Sequence, residues 1–247
     1  SSENDHESEI KFTHLFSTKD IKGAIIAPLV EGSSEIEHLF KLKMINYPFV
    51  LLEDVKGIQA NVVAIDNIKA IKKAVKYLID GGHTKIVHFA GPPASSHTEE
   101  RIEGFRYAFS ESSLVFNNDM IVSIGSRHEE SYSNTMAYFK SRPRSEYPTA
   151  IVCFNDQQAL SVITALKELD IKVPDDISII GNDDVAYAKL YPVPLTTISA
   201  PQYEIGRRAA EILIKNIESH TLLPPERVIL QTELIIREST RAINKKD

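Results

Sequence analysis

A single cysteine, Cys153, occurs in the 247 residues, so no disulfide can close within the chain. It lies inside an apolar, strand-like run, where a small buried hydrophobe is the expected role rather than a nucleophile. A reducing cytoplasm is the setting this suggests. No apolar run approaches the roughly 18 to 20 residues that a membrane-spanning helix needs, and the polar opening SSENDHESEI lacks the apolar stretch of a signal peptide. Positive charge is not in excess either. The formal net charge is -6, which argues against this chain carrying the main nucleic-acid surface, since such surfaces are basic patches or stripes. Catalytic signatures are missing: there is no GxSxG elbow, no Walker phosphate loop, no GxGxxG fingerprint and no HExxH. His83, His88, His97 and His128 show no metal-ligand spacing and read as surface or core residues. Internal repeats, low-complexity tracts and a long linker are likewise absent, and Arg142 to Pro148 and Leu222 to Pro225 read as surface connections.

What is present is a chain with 43% hydrophobic residues, enough for one large core or two small ones. Strand-like apolar runs occur at Ala24 to Ala27, Phe49 to Leu52, Val62 to Ile65, Ile86 to Ala90, Met120 to Ile124, Ala150 to Phe154 and Ile177 to Ile180. Helical patterns alternate with them, which indicates parallel sheets in an α/β protein. Ile68 to Ile79 puts Ile71, Ala74, Val75, Leu78 and Ile79 on one face and Lys69, Lys72, Lys73 and Lys76 on the other. Asp66 or Asn67 can cap its start, and Gly81 and Gly82 can supply positive φ at its end. Gln157 to Leu169 turns Leu160, Ile163, Leu166 and Leu169 inward with Asp156 as the cap. Ile205 to Ile217 buries Ala209, Ile212 and Leu213.

Two of the strand-like runs end on polar clusters, the pattern of a ligand site at strand C-termini. VPDDISIIGNDD, Val173 to Asp184, closes an apolar strand on glycine, asparagine and two carboxylates. TAIVCF, Thr149 to Phe154, stops at Asn155 and Asp156 before a helical pattern. A sugar-like ligand calls for carboxylate acceptors, a forked guanidinium donor and amides able to do both. Asp183, Arg101 and Asn155 supply one of each. The plain alternatives are a turn role for Asp183, a helix start for Asn155 and a surface ion pair with Glu99 or Glu100 for Arg101. With Asp156 capping the helix, Asn155 is expected to face the ligand. Asp184 is expected to brace the following turn. Adjacent carboxylates do not make a glycosidase pair, which must flank the scissile bond.

Together with LTTISAP at Leu195 to Pro201 and RESTR at Arg237 to Arg241, these segments resemble the effector-binding module of the lactose-repressor (LacI/GalR) family of bacterial transcription regulators over nearly the whole chain. The resemblance implies an α/β fold of two doubly wound parallel-sheet lobes joined by three crossovers, the type I periplasmic-binding-protein-like arrangement. It implies a first lobe of residues 1–80 plus 201–226 and a second of 81–200 plus 227–247, with a ligand between them. SSENDHESEI falls just after the family's second strand, so a first strand and helix are expected ahead of it. Arg101, Gly104 and Phe105 match the family's effector-contacting arginine followed three residues later by glycine and an aromatic. Glu53 matches a position where relatives often carry a ligand-contacting aspartate. His97 and Gln202 match further contact positions, and Arg127 falls near one that carries an aromatic. Asn182 departs from the pattern, which has phenylalanine or tyrosine there. The implied function is an effector sensor, not an enzyme, without cofactor or metal. Its implied partners are a small-molecule effector of the sugar class, operator DNA through an N-terminal domain outside this sequence, and a second copy in a homodimer, with no membrane. A periplasmic sugar-binding protein of a transporter is the alternative, and a sugar-processing enzyme on the same scaffold a third.

Overall fold

The computed structural model describes residues 10–11, 21–28, 36–93, 95–125, 127–219 and 221–243. Apart from Ile10, the opening SSENDHESEI lies outside the described residues. In chain order the strands are β1 (Ala24–Ile26), β2 (Phe49–Leu51), β3 (Asn61–Ile65), β4 (Ile86–Ala90), β5 (Ile121–Ser123), β6 (Ala150–Cys153), β7 (Ser178–Asp183), β8 (Thr196–Ser199), β9 (Arg227–Leu230) and β10 (Glu233–Ile235). The helices are α1 (Glu37–Met44), α2 (Asn67–Asp80), α3 (Ser96–Ser110), α4 (His128–Lys140), α5 (Asp156–Glu168) and α6 (Gln202–Glu218). No described helix is long and apolar enough to cross a membrane.

The chain divides into two compact units. The first comprises residues 1–66, 94–96 and 201–231, and the second 67–93, 97–200 and 232–247. In the first unit the strands run β1-β2-β3-β9, all parallel. One face packs against α1 through Leu39 and Leu42, and the other against α6 through Ala209 and Ile212. Covering both faces in this way is what a parallel sheet requires.

The second unit holds a sheet ordered β10-β8-β7-β6-β4-β5, parallel throughout except for β10, which runs antiparallel to β8. Alternation along the strands sends Phe89, Ile151, Cys153 and Ile179 to one face, where they meet α4 and α5. Ile86, Val152 and Ile180 go to the other, against Ile71, Val75 and Leu78 of α2 and Phe105 and Phe109 of α3. This contact is why α2 belongs to the second unit, whereas the expected division placed residues 67–80 in the first. Pairing of β9 with β3, from Val62 opposite Arg227 to Ile65 opposite Leu230, likewise moves the last changeover to residue 232 rather than 227.

Helix ends follow local chemistry with two corrections. After α2 only Gly82 takes a positive φ, 93°, and His83 N donates to Leu78 O across it. At α5 the cap is Asn155, whose side-chain oxygen accepts from Gln158 N at 2.8 Å, so Asp156 does not hold the capping role expected for it. The buried Cys153 is a core residue, as its apolar run suggested.

Helices α2 and α3 meet at Gly104, where an added Cβ would collide with the backbone carbonyl of Ile68. A backbone obstacle cannot rotate away, so the helices approach this closely only over glycine. Gly104→Ala is expected to cost about 1 to 3 kcal/mol of folding stability, measured by urea or guanidinium unfolding. An unchanged midpoint and slope would show that the two helices have room to spare.

Candidate functional site

The second unit gathers its polar residues at the C-terminal ends of β4, β6 and β7, three neighbouring strands. Asp183 ends β7 with φ 121°, and Asp184 follows with φ 54°. Left-handed values at two successive residues that are not glycine require outside support. Asp156 supplies much of it. Its side chain is fully buried, one oxygen accepts from Thr197 Oγ1 at 2.5 Å, and the other accepts from Val185 N at 2.9 Å. Thr197 Oγ1 in turn lies 3.4 Å from Asp184 N. At Gly181 a Cβ would strike this carboxylate and come within 2.7 Å of Leu195 Cδ2, so glycine is what lets Asp156 lie across β7. Asp184 pairs with Arg237 at 2.5 Å, the bracing role expected of it.

Arg101, from α3, is 5% exposed, which sets aside the surface ion pair considered for it. Its Nε donates to Asn67 Oδ1 at 3.2 Å, Nη1 donates to the Phe154 carbonyl, and the guanidinium stacks 4.5 Å above the Phe154 ring. Its Nη2 lies 3.9 Å from Asp183 Oδ1. Asn67 continues the network, donating to Glu100 at 2.8 Å and to His97 Nδ1 at 3.0 Å. The same network therefore joins Arg101, Asp183 and His97. Asn155 stands at the adjacent end of β6 with its oxygen committed to the cap, the helix-start role weighed as its alternative, so Asp156 does not leave it free as expected. Arg127 lies exposed just before α4. Glu53 and Gln202 belong to the first unit: Glu53 is buried and accepts from Ser96 Oγ at 3.0 Å, and Gln202 is exposed at the start of α6.

Three contributors carry no site signal in the sequence: Asn67 and Asp156 read as helix caps and Phe154 as the end of a strand. Asn182 stands out as a departure from a family pattern that bears on packing or ligand choice. Asn182 is almost fully buried and donates to Asp183 Oδ1 at 2.8 Å. Beneath Arg101, His88 is buried and stacked on Phe105, and its Nδ1 bonds the Val152 carbonyl at 2.8 Å. Burial, reinforced by the Arg101 charge, pulls its pKa down to about 4, so at neutral pH it adds no positive charge. Burial raises the Asp183 carboxyl, against the opposing pull of Arg101, Asn182 and His97. Burial also pushes the Cys153 thiol up, which suppresses the reactive thiolate. Among the described residues there is no group of histidine, cysteine and carboxylate side chains that could hold a metal ion. The arrangement offers hydrogen-bond donors and acceptors without an activated nucleophile.

Residues 75–240 match the family model of the periplasmic binding protein-like domain. The chain is 37% identical over 172 residues to the HTH-type transcriptional repressor PurR of Vibrio vulnificus, an alignment covering 69% of this chain and 50% of that protein. The matched stretch thus spans about half that relative's length. With the HTH-type transcriptional repressor CytR of Escherichia coli K12 the identity is 32% over 242 residues, 96% of this chain and 68% of the repressor. A LacI-family regulatory protein from Chloroflexus aggregans superposes with a TM-score of 0.81 at 26% identity, covering 97% of this chain and 84% of that one. Two solved structures at lower identity share the fold: the CelR–cellobiose complex, TM-score 0.83 at 24% (95% of this chain, 69% of that one), and an Enterococcus faecium LacI-family regulator with bound ribose, TM-score 0.81 at 23% (95% and 85%).

The Asp156 carboxyl is the most consequential titrating group of the site. Burial, with the nearby Asp183 and Asp184 charges, raises its pKa from 3.8 to about 6 despite the Thr197 and Val185 hydrogen bonds. The folded protein thus holds this proton more tightly than the unfolded chain. Its contribution to stability is fully present below pH 3.8 and is lost as pH rises through about 6, a change of about 3 kcal/mol. Asp156→Asn is expected to flatten this part of the stability profile, read by chemical denaturation between pH 4 and 7. Parallel profiles for the two proteins would show that the carboxyl titrates as it does in the unfolded chain.

Proposed function

We propose that this chain, which belongs to the LacI family of transcriptional regulators as its periplasmic-binding-protein-like effector-binding domain, binds a small sugar at the strand ends of the second unit. The observation that carries this reading is the buried Arg101 guanidinium beside the Asp183 carboxylate, held by Asn67 and Phe154. A sugar hydroxyl accepts from the guanidinium while it donates to the carboxylate, and neighbouring hydroxyls on one ring can use both partners at once. Arg101 and Arg237 stand against Asp183 and Asp184, with Asp156 nearby, so no excess positive charge favours an anion over a neutral polyol there. Cellobiose in the CelR complex and ribose in the Enterococcus faecium regulator support the same ligand class.

As part of a cytoplasmic repressor, the domain senses its effector and alters the affinity of a homodimer for operator DNA, which is contacted through a DNA-binding segment outside this sequence. The repressor relatives support that role. Coupling requires that the effector bind one conformation of the regulator more tightly than another. Asp183, Arg101 and Asn155 are the effector contacts of the second unit, with His97 and Arg127 as outlying members.

A thermal-shift screen of the chain against ribose, cellobiose, other sugars, sugar phosphates and nucleobases identifies the class, because ligands of the native state stabilise by mass action. A neutral sugar is the expected hit. Asp183→Ala is expected to weaken its binding about ten- to a hundredfold, the loss of a hydrogen bond to a charged group worth about 1.5 to 3 kcal/mol. Unchanged affinity in calorimetry removes Asp183 from the site, and stabilisation by nucleobases alone overturns the sugar assignment.

A further inference from the structure

Strand β7 delivers Asn182 immediately before Asp183, on the sheet face that Ile180 shares with α2 and α3. The Asn182 side chain is 1% exposed. Its Nδ2 donates to Asp183 Oδ1 at 2.8 Å, the same oxygen that lies 3.9 Å from Arg101 Nη2. The opposite amide orientation would set two oxygens against each other, so the hydrogen bond itself fixes the assignment. Among the described residues, Asn182 Oδ1 is buried without a hydrogen-bond partner. An orphaned buried carbonyl works against folding. Leucine, of similar size, would remove both the orphan and the donor. Asn182 is therefore a poor choice for packing alone, and the hydrogen bond its amide nitrogen makes goes to a residue of the candidate site.

We propose that Asn182 is a positioning residue for effector recognition, holding the Asp183 carboxylate in one orientation beside Arg101 and so setting which hydroxyl geometry the site accepts. This rests on the reading that Asp183 contacts the effector. The hydrogen bond acts in the ligand-free protein. Asp183 occupies a left-handed backbone conformation and is only half-buried, and the Asn182 amide is a buried donor, on the adjacent residue of the same strand, that orients its carboxylate.

The test begins with the wild-type chain, by following the side-chain amide resonances of Asn182 through a pH titration in NMR. They are expected to shift with the Asp183 carboxyl, and to stop doing so in Asp183→Asn. Resonances indifferent to Asp183 overturn the proposal without any variant at Asn182. In Asn182→Leu, the chain is expected to unfold at the same or higher denaturant concentration, while Asp183 titrates at higher pH for lack of its donor. Binding of ribose or cellobiose, whichever the chain takes, is expected to fall at least tenfold, and further as the pH is lowered. A less stable leucine variant with an unmoved Asp183 titration assigns Asn182 to packing and overturns the proposal. A moved titration together with sugar binding untouched by Asp183→Ala overturns the effector-contact reading instead, leaving the hold of Asn182 on Asp183 intact.

Discussion

The Asp156 carboxylate is the tie on which the mouth of the second unit depends. It joins the start of α5 to Thr197 on β8 and to the backbone just beyond Asp184, across a strand that must carry glycine at 181 to admit it. Backbone values of the kind seen at Asp183 and Asp184 cost of the order of 1 to 3 kcal/mol each. Without the tie the chain after β7 would relax toward extended backbone, and the Asp183 side chain would turn away from Arg101. The strained turn, the glycine and the buried carboxylate form a single device.

That device places carboxylates near one another, and the surrounding structure compensates. Asp184 is neutralised by Arg237, Asp183 faces Arg101, and Asp156 is left with neutral donors only, the environment in which a carboxyl holds its proton longest. His88 beneath the arginine stays neutral, bonded through Nδ1 to a backbone carbonyl. A neutral His88 sets no like charge against the Arg101 guanidinium.

Strand-forming runs were legible in the sequence because parallel strands buried on both faces are nearly continuously apolar, as in Ala150–Cys153 and, apart from His88, in Ile86–Ala90. Helix α2 was equally plain, with a clean apolar stripe opposite its lysines. Helices α3 and α4 were not, because their inward faces carry Thr98 and Arg101 in one and Ser131 and Thr135 in the other, which breaks the 3.6-residue pattern. For α3 the break is itself the signal, since Arg101 reaches the ends of β6 and β7 at Phe154 and Asp183. The strands β8, β9 and β10 escaped because Thr196 and Thr197 are buried polar residues and β9 and β10 are short and half-buried. The choice between Asn155 and Asp156 as the α5 cap could not be made locally. Both can cap, and what decides is Thr197 and Val185, about 30 to 40 residues away, claiming the aspartate.

Residues 101, 154 and 183 come together for a topological reason. The sheet order β7-β6-β4 sets the ends of three strands side by side, although the chain visits them far apart in sequence. Register then fixes how they align: Val152 stands opposite both His88 and Ile180, so two residues further on Phe154 and Asn182 emerge as neighbours on the α2 and α3 face. The ring of Phe154 carries the guanidinium and the amide of Asn182 holds the carboxylate. Arginine reaches this row only because α3 lies close to α2, over a glycine one helical turn beyond it. The geometry at these strand ends is thus set by backbone contacts and strand register, and a change in helix spacing at Gly104 reaches Asp183 through Arg101.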